Sequence, residues 1–303
     1  MAESDAPLFK VDLDLSQESA TQQPELDFVG RPFPALPEVK PPREPRRATV
    51  IAMCNQKGGV GKTTTTINVG ACLVELGRRV LLVDCDPQGS LSVGLGVNPH
   101  QLDKSIYTLL MSDDDDIHDV IRPTSVKGLD ILPSNIDLSA AEVQLVNEVA
   151  RELTLKRVLA KVRDDYDVIL IDCAPSLGLL TINALAASHY VLIPLECEFF
   201  ALRGVALLTE TVRKVQDRIN PDLELLGLLA TMVDVRTLHA KEVMGTLVEA
   251  FGEKVFHTII RRTVKFPETS VAGEPITTYA PTSAGADSYR MLAKEVLARC
   301  PDA

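Results

Sequence analysis

The chain has 303 residues, enough for one large α/β domain or two small ones. Every apolar run is shorter than the ~20 residues of a membrane span, and Met1 to Lys10 lacks the apolar core of a signal peptide, so a cytoplasmic protein is expected. The net charge of −11 works against nucleic acid as a partner of the whole surface, so any DNA contact has to come from a local basic patch.

Residues 1–47 differ from the rest. Eight of the nineteen prolines fall here, among Gln, Ser and Glu. Proline lacks an amide proton and clashes inside a helix, so Arg31 to Arg47 can form neither a helix nor a central strand. The segment reads as an extended, disordered tail. Its alternation Leu8-Phe9-Lys10-Val11-Asp12-Leu13-Asp14-Leu15 has two readings, a solvated stretch or a short pairing motif.

The folded domain is expected over 48–303. Ala48 to Asn55 is apolar and partly β-branched, as a buried parallel strand requires. It runs into Lys57-Gly58-Gly59-Val60-Gly61-Lys62-Thr63-Thr64. Thr65 to Leu76 then carries apolar residues at helical spacing, with Gly77 as a stop. Strand, glycine loop and helix form the setting of a phosphate-binding loop. The glycines let several N–H groups converge, and the positive end of the next helix aims at the same point. Lys62 then reaches the β- and γ-phosphates of a nucleotide, and Thr63 offers its hydroxyl to Mg²⁺.

Further strands are predicted at Arg79–Asp84, Gly128–Pro133, Asp167–Asp172, Tyr190–Pro194, Leu225–Asp234 and Val255–Ile260. Helices are predicted at Asp137–Arg163 with a break, Leu177–Ala187, Leu202–Ile219, Leu238–Phe251 and Ala284–Ala298. This alternation predicts an α/β fold, a doubly wound, mostly parallel sheet with helices on both faces. Asp84 and Asp86 stand at the carboxyl end of one buried strand and Asp172 at the end of another, the sheet edge where ligands bind. Asp113 to Asp116 lacks the ligand spacing of a calcium loop and reads as a solvated helix start. The six scattered cysteines read as reduced apolar residues.

The pattern KGGVGKTT resembles the deviant Walker A loop of the ParA/MinD family of ATPases. The stretch Asp84-Cys-Asp-Pro-Gln88 is similar to that family's DxDPQ motif, and Val168 to Asp172 to its Walker B strand. The likeness continues through Leu180–Leu185, Glu196–Gly204 and Arg262–Glu268, covering roughly 49 to 299, and is strongest to the short chromosomal ParA/Soj type. The resemblance implies ATP and Mg²⁺ as cofactors and Lys57, Lys62 and Asp86 as catalytic residues. Lys57 would cross to the nucleotide of a second subunit and Asp86 would orient the attacking water. The nucleotide would rest on Lys57, Gly58, Gly59, Val60, Gly61, Lys62, Thr63 and Thr64, with Gln88 and Arg261 beyond. Thr63, Asp84 and Asp172 would attend the metal. Two departures stand out. Arg261 replaces the proline of the family's Ile-Pro-Arg-Asn, and Arg203 the glutamate of its Ala-Leu-Glu-Gly.

The partners implied are a second copy in the presence of ATP, DNA bound without sequence preference, and a stimulating protein of the ParB type. Arg236, Arg262 and Lys265 follow adjacent strands and are the expected DNA contacts. Sequence-independent binding through phosphates is salt-sensitive, and dimerisation would double the patch. The location implied is the nucleoid within the cytoplasm. Three other readings stay open. One is a MinD-like membrane ATPase, although Tyr289 to Arg299 looks like a helix closing on the sheet and Pro301-Asp-Ala follows with no anchor. Another is a metabolic P-loop enzyme such as an amidoligase. The third is a paralogue that works with condensin or a polar scaffold.

Overall fold

The computed structural model describes residues 25–198, 201–300 and 303. The Leu8–Leu15 alternation and part of the Glu196–Gly204 motif lie outside them. Strand β1 (Thr49–Met53) leads through the glycine loop into α1 (Lys62–Glu75). Strand β2 (Val80–Cys85) is followed by three short helices, α2 (Ser90–Gly94), α3 (Ile106–Met111) and α4 (Ile117–Val120). Strands β3 (Arg122–Pro123) and β4 (Leu129–Leu132) precede α5 (Leu138–Gln144) and α6 (Thr154–Ala160). Strand β5 (Val168–Cys173), α7 (Leu179–Ala187), β6 (Tyr190–Glu196), α8 (Ala201–Arg218), β7 (Glu224–Thr231) and α9 (Leu238–Phe251) complete the alternation. Helices α10 (Lys265–Ala272), α11 (Ile276–Tyr279) and α12 (Ala284–Arg299) end it.

The strand order is β3-β4-β2-β5-β1-β6-β7, and all neighbours are parallel except β3 on β4. This is the doubly wound sheet that the alternation predicts. Its central strands β1, β2 and β5 are buried along their length and largely apolar because both faces are covered. Val50 and Ala52 of β1, Leu81 and Val83 of β2, and Ile169 and Ile171 of β5 enter one core. Ile51, Met53, Val80, Leu82, Val168 and Leu170 enter the other, where Tyr289, Leu292 and Val296 of α12 also lie. Helix α12 packs against α1. Two-residue alternation thus sends each strand's side chains into two separate cores.

Three local readings are resolved by particular contacts. The predicted helix 137–163 breaks into α5 and α6, with Ala150 at φ +53° between them. Asp116, the last of the acidic run, caps α4 by accepting the His118 amide at 3.0 Å. The predicted strand Val255–Ile260 is corrected. In place of a ladder it makes isolated bridges, Leu228 to Val255 and Val233 to Arg261, and one further bond from the Ile260 amide to the Ala230 carbonyl at 2.9 Å. Side chains claim its middle. The Glu295 carboxylate accepts the His257 and Thr258 amides at 2.9 and 3.1 Å. The Arg31 guanidinium donates to the Val255 and Phe256 carbonyls at 3.2 and 3.1 Å.

That arginine belongs to the tail. Against the expectation of a disordered tail, residues 25–47 dock on the domain, first in a turn closed by a Leu26–Pro32 bridge and then largely without regular structure. Asp27 orients Arg31 through its Nε at 2.7 Å. The Phe33 ring stands 5.8 Å from that of His257, and Arg78 donates to the Lys40 carbonyl at 2.8 Å. All six cysteines are buried free thiols. Burial pushes the Cys72 and Cys197 thiols up to about 12, which keeps them protonated and unreactive.

Candidate nucleotide site

The glycine loop leaves β1 at the centre of the sheet, beside β5 and β6. Strand order reverses there, which opens a crevice at the carboxyl ends. Gly59 and Gly61 have φ of +74° and +80°, conformations that a side chain would strain. Gly61 is also the residue from which α1 starts, so the loop's amides and the helix terminus face one cavity of about 500 Å³. Gly58, Gly59, Gly61, Lys62, Thr63, Thr64, Asp86 and Gln88 line it. Val60 turns inward, and its carbonyl accepts the Thr231 hydroxyl at 2.8 Å.

Lys62 is sunk in the loop with 7% exposure, and its ammonium donates to the Lys57 carbonyl at 3.2 Å. Thr63 donates its hydroxyl to Asp172 Oδ2 at 2.6 Å. Asp172 and Asp84 are register partners on β5 and β2, both buried. Burial, with the Asp84 charge as the next cause, pushes the Asp172 carboxyl up to about 8. Burial likewise raises Asp84 to about 7, against the hydroxyl and amide of Ser92, which it accepts at 2.7 and 2.9 Å. Two buried carboxyls side by side leave negative charge that Lys62 offsets only in part. A hydroxyl and a carboxylate that meet beside the phosphate loop are the hard oxygen donors that suit Mg²⁺. Asp172 and Thr63 would hold the ion, and the ion would neutralise phosphate charge. Asp84 has already committed both oxygens, Oδ2 to Ser92 and Oδ1 to the Asp86 amide at 3.3 Å, so it bears on the metal through its charge.

Asp86 stands at the mouth of the cavity and accepts the Gln88 amide at 2.9 Å. Lys57 behaves unlike Lys62. It lies outside the cavity lining, half-exposed, with its ammonium on Glu198 and at 3.4 Å from Glu196. The Glu198 hydrogen bond is the largest cause that holds its pKa above the ordinary value. Arg261 is exposed and also lies outside the lining. The expected DNA residues do come together in part. The Val233–Arg261 bridge sets the loop after β7 beside the loop before α10. Each cation meets a carboxylate there: Arg236 meets Asp234 at 2.8 Å, Arg262 meets Glu196 at 2.7 Å and Lys265 meets Glu268 at 2.8 Å.

Sequence reasoning missed the residues that fix the loop. Asn55 accepts the Lys57 amide at 3.0 Å and donates to the Pro194 carbonyl at 2.7 Å. Thr231 bonds both Val60 and Leu195 carbonyls. Met232 lines the cavity at φ +52°, a strained backbone for a residue other than glycine. A lone Asn or Thr carries no spacing signal, since its partner lies on another strand.

A parallel sheet with a glycine loop, a sunken lysine and a Thr–Asp pair at its carboxyl edge defines a P-loop nucleoside triphosphatase. A family model described as an AAA domain matches residues 48–225. The chain is 51% identical over 82% of its length to the chromosome-partitioning ATPase Soj of Treponema pallidum, and spans 97% of that protein. It is 61% identical, over 90% of its length and 86% of the relative, to an uncharacterised protein of Mycobacterium tuberculosis. A structure from Mycobacterium smegmatis, named cobyrinic acid a,c-diamide synthase and holding ADP and magnesium, superposes with a TM-score of 0.72 at 43% identity. It covers 81% of this chain and 92% of its own. The chain belongs to the ParA/Soj family of partitioning ATPases.

Proposed function

We propose that this ATPase is a switch that dimerises around two Mg²⁺-ATP molecules, binds DNA without sequence preference in that form, and lets go after hydrolysis. The observation that carries this reading is the division of labour between two lysines of one loop. Lys62 faces the phosphate cradle from within. Lys57 points out of the cavity, where a second copy's nucleotide could receive it. A second cation at the transferring phosphate stabilises developing charge. Asp86, at the cavity mouth, orients the water, and a ParB-type protein sets the pace.

The side-by-side loops of Arg236, Arg262 and Lys265 form the DNA surface. Their ion pairs are exposed and screened by solvent, so phosphates can displace them. One surface of three cations binds weakly, and two held in fixed geometry gain by avidity.

The test is sedimentation with DNA in the presence of ATP or ADP. Retention with ATP alone is expected. Arg262→Glu should cut retention severalfold at equal ATP occupancy and lower the salt slope by about one contact's share, 0.9. Unchanged retention removes the patch. Asp86→Ala should bind ATP, fail to turn over and accumulate as dimers. Size exclusion with ATP that yields monomer alone ends that role. The name of the M. smegmatis structure supports a second reading, a diamide synthase. DNA retention driven by ATP belongs to the first reading and not to the second.

A further inference from the structure

The carboxyl end of β6 lies between the glycine loop and the loop before α10. Strand β6 has β1 on one side and β7 on the other. The glycine loop leaves β1, and the Val233–Arg261 bridge sets the segment before α10 against the loop after β7. Glu196, the last residue of β6, therefore stands between Lys57 and Arg262. It meets both. One oxygen, Oε2, lies 3.4 Å from the Lys57 ammonium, and the other, Oε1, accepts Arg262 Nη2 at 2.7 Å. Glu198 is the nearer partner of Lys57, and Cys197 between the two acids is buried.

The Glu196 side chain is 18% exposed, against 50% for Lys57, 51% for Glu198 and 65% for Arg262. The most sheltered member of the cluster is thus the one that both cations share, and its charge is the least screened. A carboxylate has two oxygens but one charge, and here each oxygen serves a different cation. Glu198 first, and Glu196 in the same direction, hold the Lys57 ammonium above its ordinary value. Glu196, Glu198 and Arg262 line one cavity of about 380 Å³ with Asp234, which Arg236 engages at 2.8 Å.

We propose that Glu196 is a positioning residue that parks Lys57 away from the nucleotide and couples its release to Arg262. The coupling has a definite sign. When Arg262 leaves for a phosphate, the whole charge of Glu196 falls to Lys57 and holds it back. When Lys57 leaves, that charge falls to Arg262. Linkage makes the two effects equal. The carboxylate therefore restrains both cations of the free chain and sets their departures against each other. Exposed charges couple weakly, so the effect is severalfold and trims the avidity of paired surfaces without cancelling it. What Lys57 does after release rests on the switch reading, and the parking stands without it.

The first test reads Lys57 in full-length protein without nucleotide or DNA. Trace acetylation with acetic anhydride at pH 9 labels neutral amines alone, and mass spectrometry follows the Lys57 peptide. Lys294, exposed on α12, is the internal standard. Glu196→Gln should label Lys57 severalfold faster than the native chain, and Arg262→Gln should label it more slowly. In the Glu196→Gln background Arg262→Gln should lose most of its effect. The second test is sedimentation velocity with ATP and Mg²⁺ and no DNA. Glu196→Gln should self-associate at severalfold lower protein concentration, and Arg262→Gln at a higher one, although Arg262 lies outside the lining of the nucleotide cavity. Equal labelling in all four proteins, or the same Arg262→Gln effect in both backgrounds, overturns the proposal. Self-association that ignores both variants overturns the coupling. The expected labelling pattern with no ATP-driven self-association in any of the four keeps the parking and removes the switch reading.

Discussion

Lys62→Ala is expected to abolish measurable ATP binding while leaving the fold intact. The ammonium is buried, and among the described residues it donates to one carbonyl, Lys57, at 3.2 Å. An ammonium has three hydrogens, so the cradle keeps it ready for phosphate oxygens. Each charged hydrogen bond lost costs ~1.5–3 kcal/mol, and two such bonds correspond to a drop in affinity of about 100-fold or more. Stability should change little or rise, because removing a buried charge removes a desolvation cost. Calorimetry with ATP and Mg²⁺ decides the matter. Affinity within tenfold of the native protein, in a variant with native melting, would show that the phosphates sit elsewhere.

The second large effect is expected at Asp172, and it runs in opposite directions for stability and for function. The carboxyl is raised from its ordinary 3.8 to about 8, first by burial and then by Asp84. In the unfolded chain it ionises near the ordinary value. The folded chain therefore holds a proton that the unfolded chain has lost, and nucleotide-free stability falls as pH rises from about 4 to about 8. Asp172→Asn cannot ionise and can still accept the Thr63 hydroxyl. It should raise the melting temperature of the free protein, more at pH 8 than at pH 5, by roughly 3–8 °C at about 2–4 °C per kcal/mol. The same variant should lose the extra stabilisation that Mg²⁺ adds to ADP. Melting scans at both pH values, with ADP alone and with ADP and Mg²⁺, read both effects. A variant less stable than the native protein at pH 8, or one still stabilised by Mg²⁺, contradicts this account of the carboxyl pair.

Much of the geometry of the candidate site was legible because its parts are contiguous. One loop carries Lys62, the glycines and Thr63, and strand ends carry Asp84, Asp86 and Asp172. The apolar runs before them place those strand ends at one edge. What escaped reading depends on partners distant in the chain. Ser92, Thr231 and Asn55 act on groups that only folding brings near. Val255–Ile260 has the composition of a strand, yet Glu295 and Arg31 take backbone groups that a ladder would use. The tail's prolines foretell extension, but its docking rests on contacts distant in the chain, among them one arginine, Arg31, with three carbonyl acceptors, Gly252, Val255 and Phe256. No periodicity announces such a contact.

The same arginine has a wider consequence. An open sheet margin is a template on which another chain can add a strand, and that kind of growth does not reverse on demand. At one margin here stands β3, two exposed residues of which one is proline. At the other, charged side chains already occupy the amides and carbonyls that an incoming strand would seek. Copies of this protein are thereby steered away from fibre-like joining at either margin.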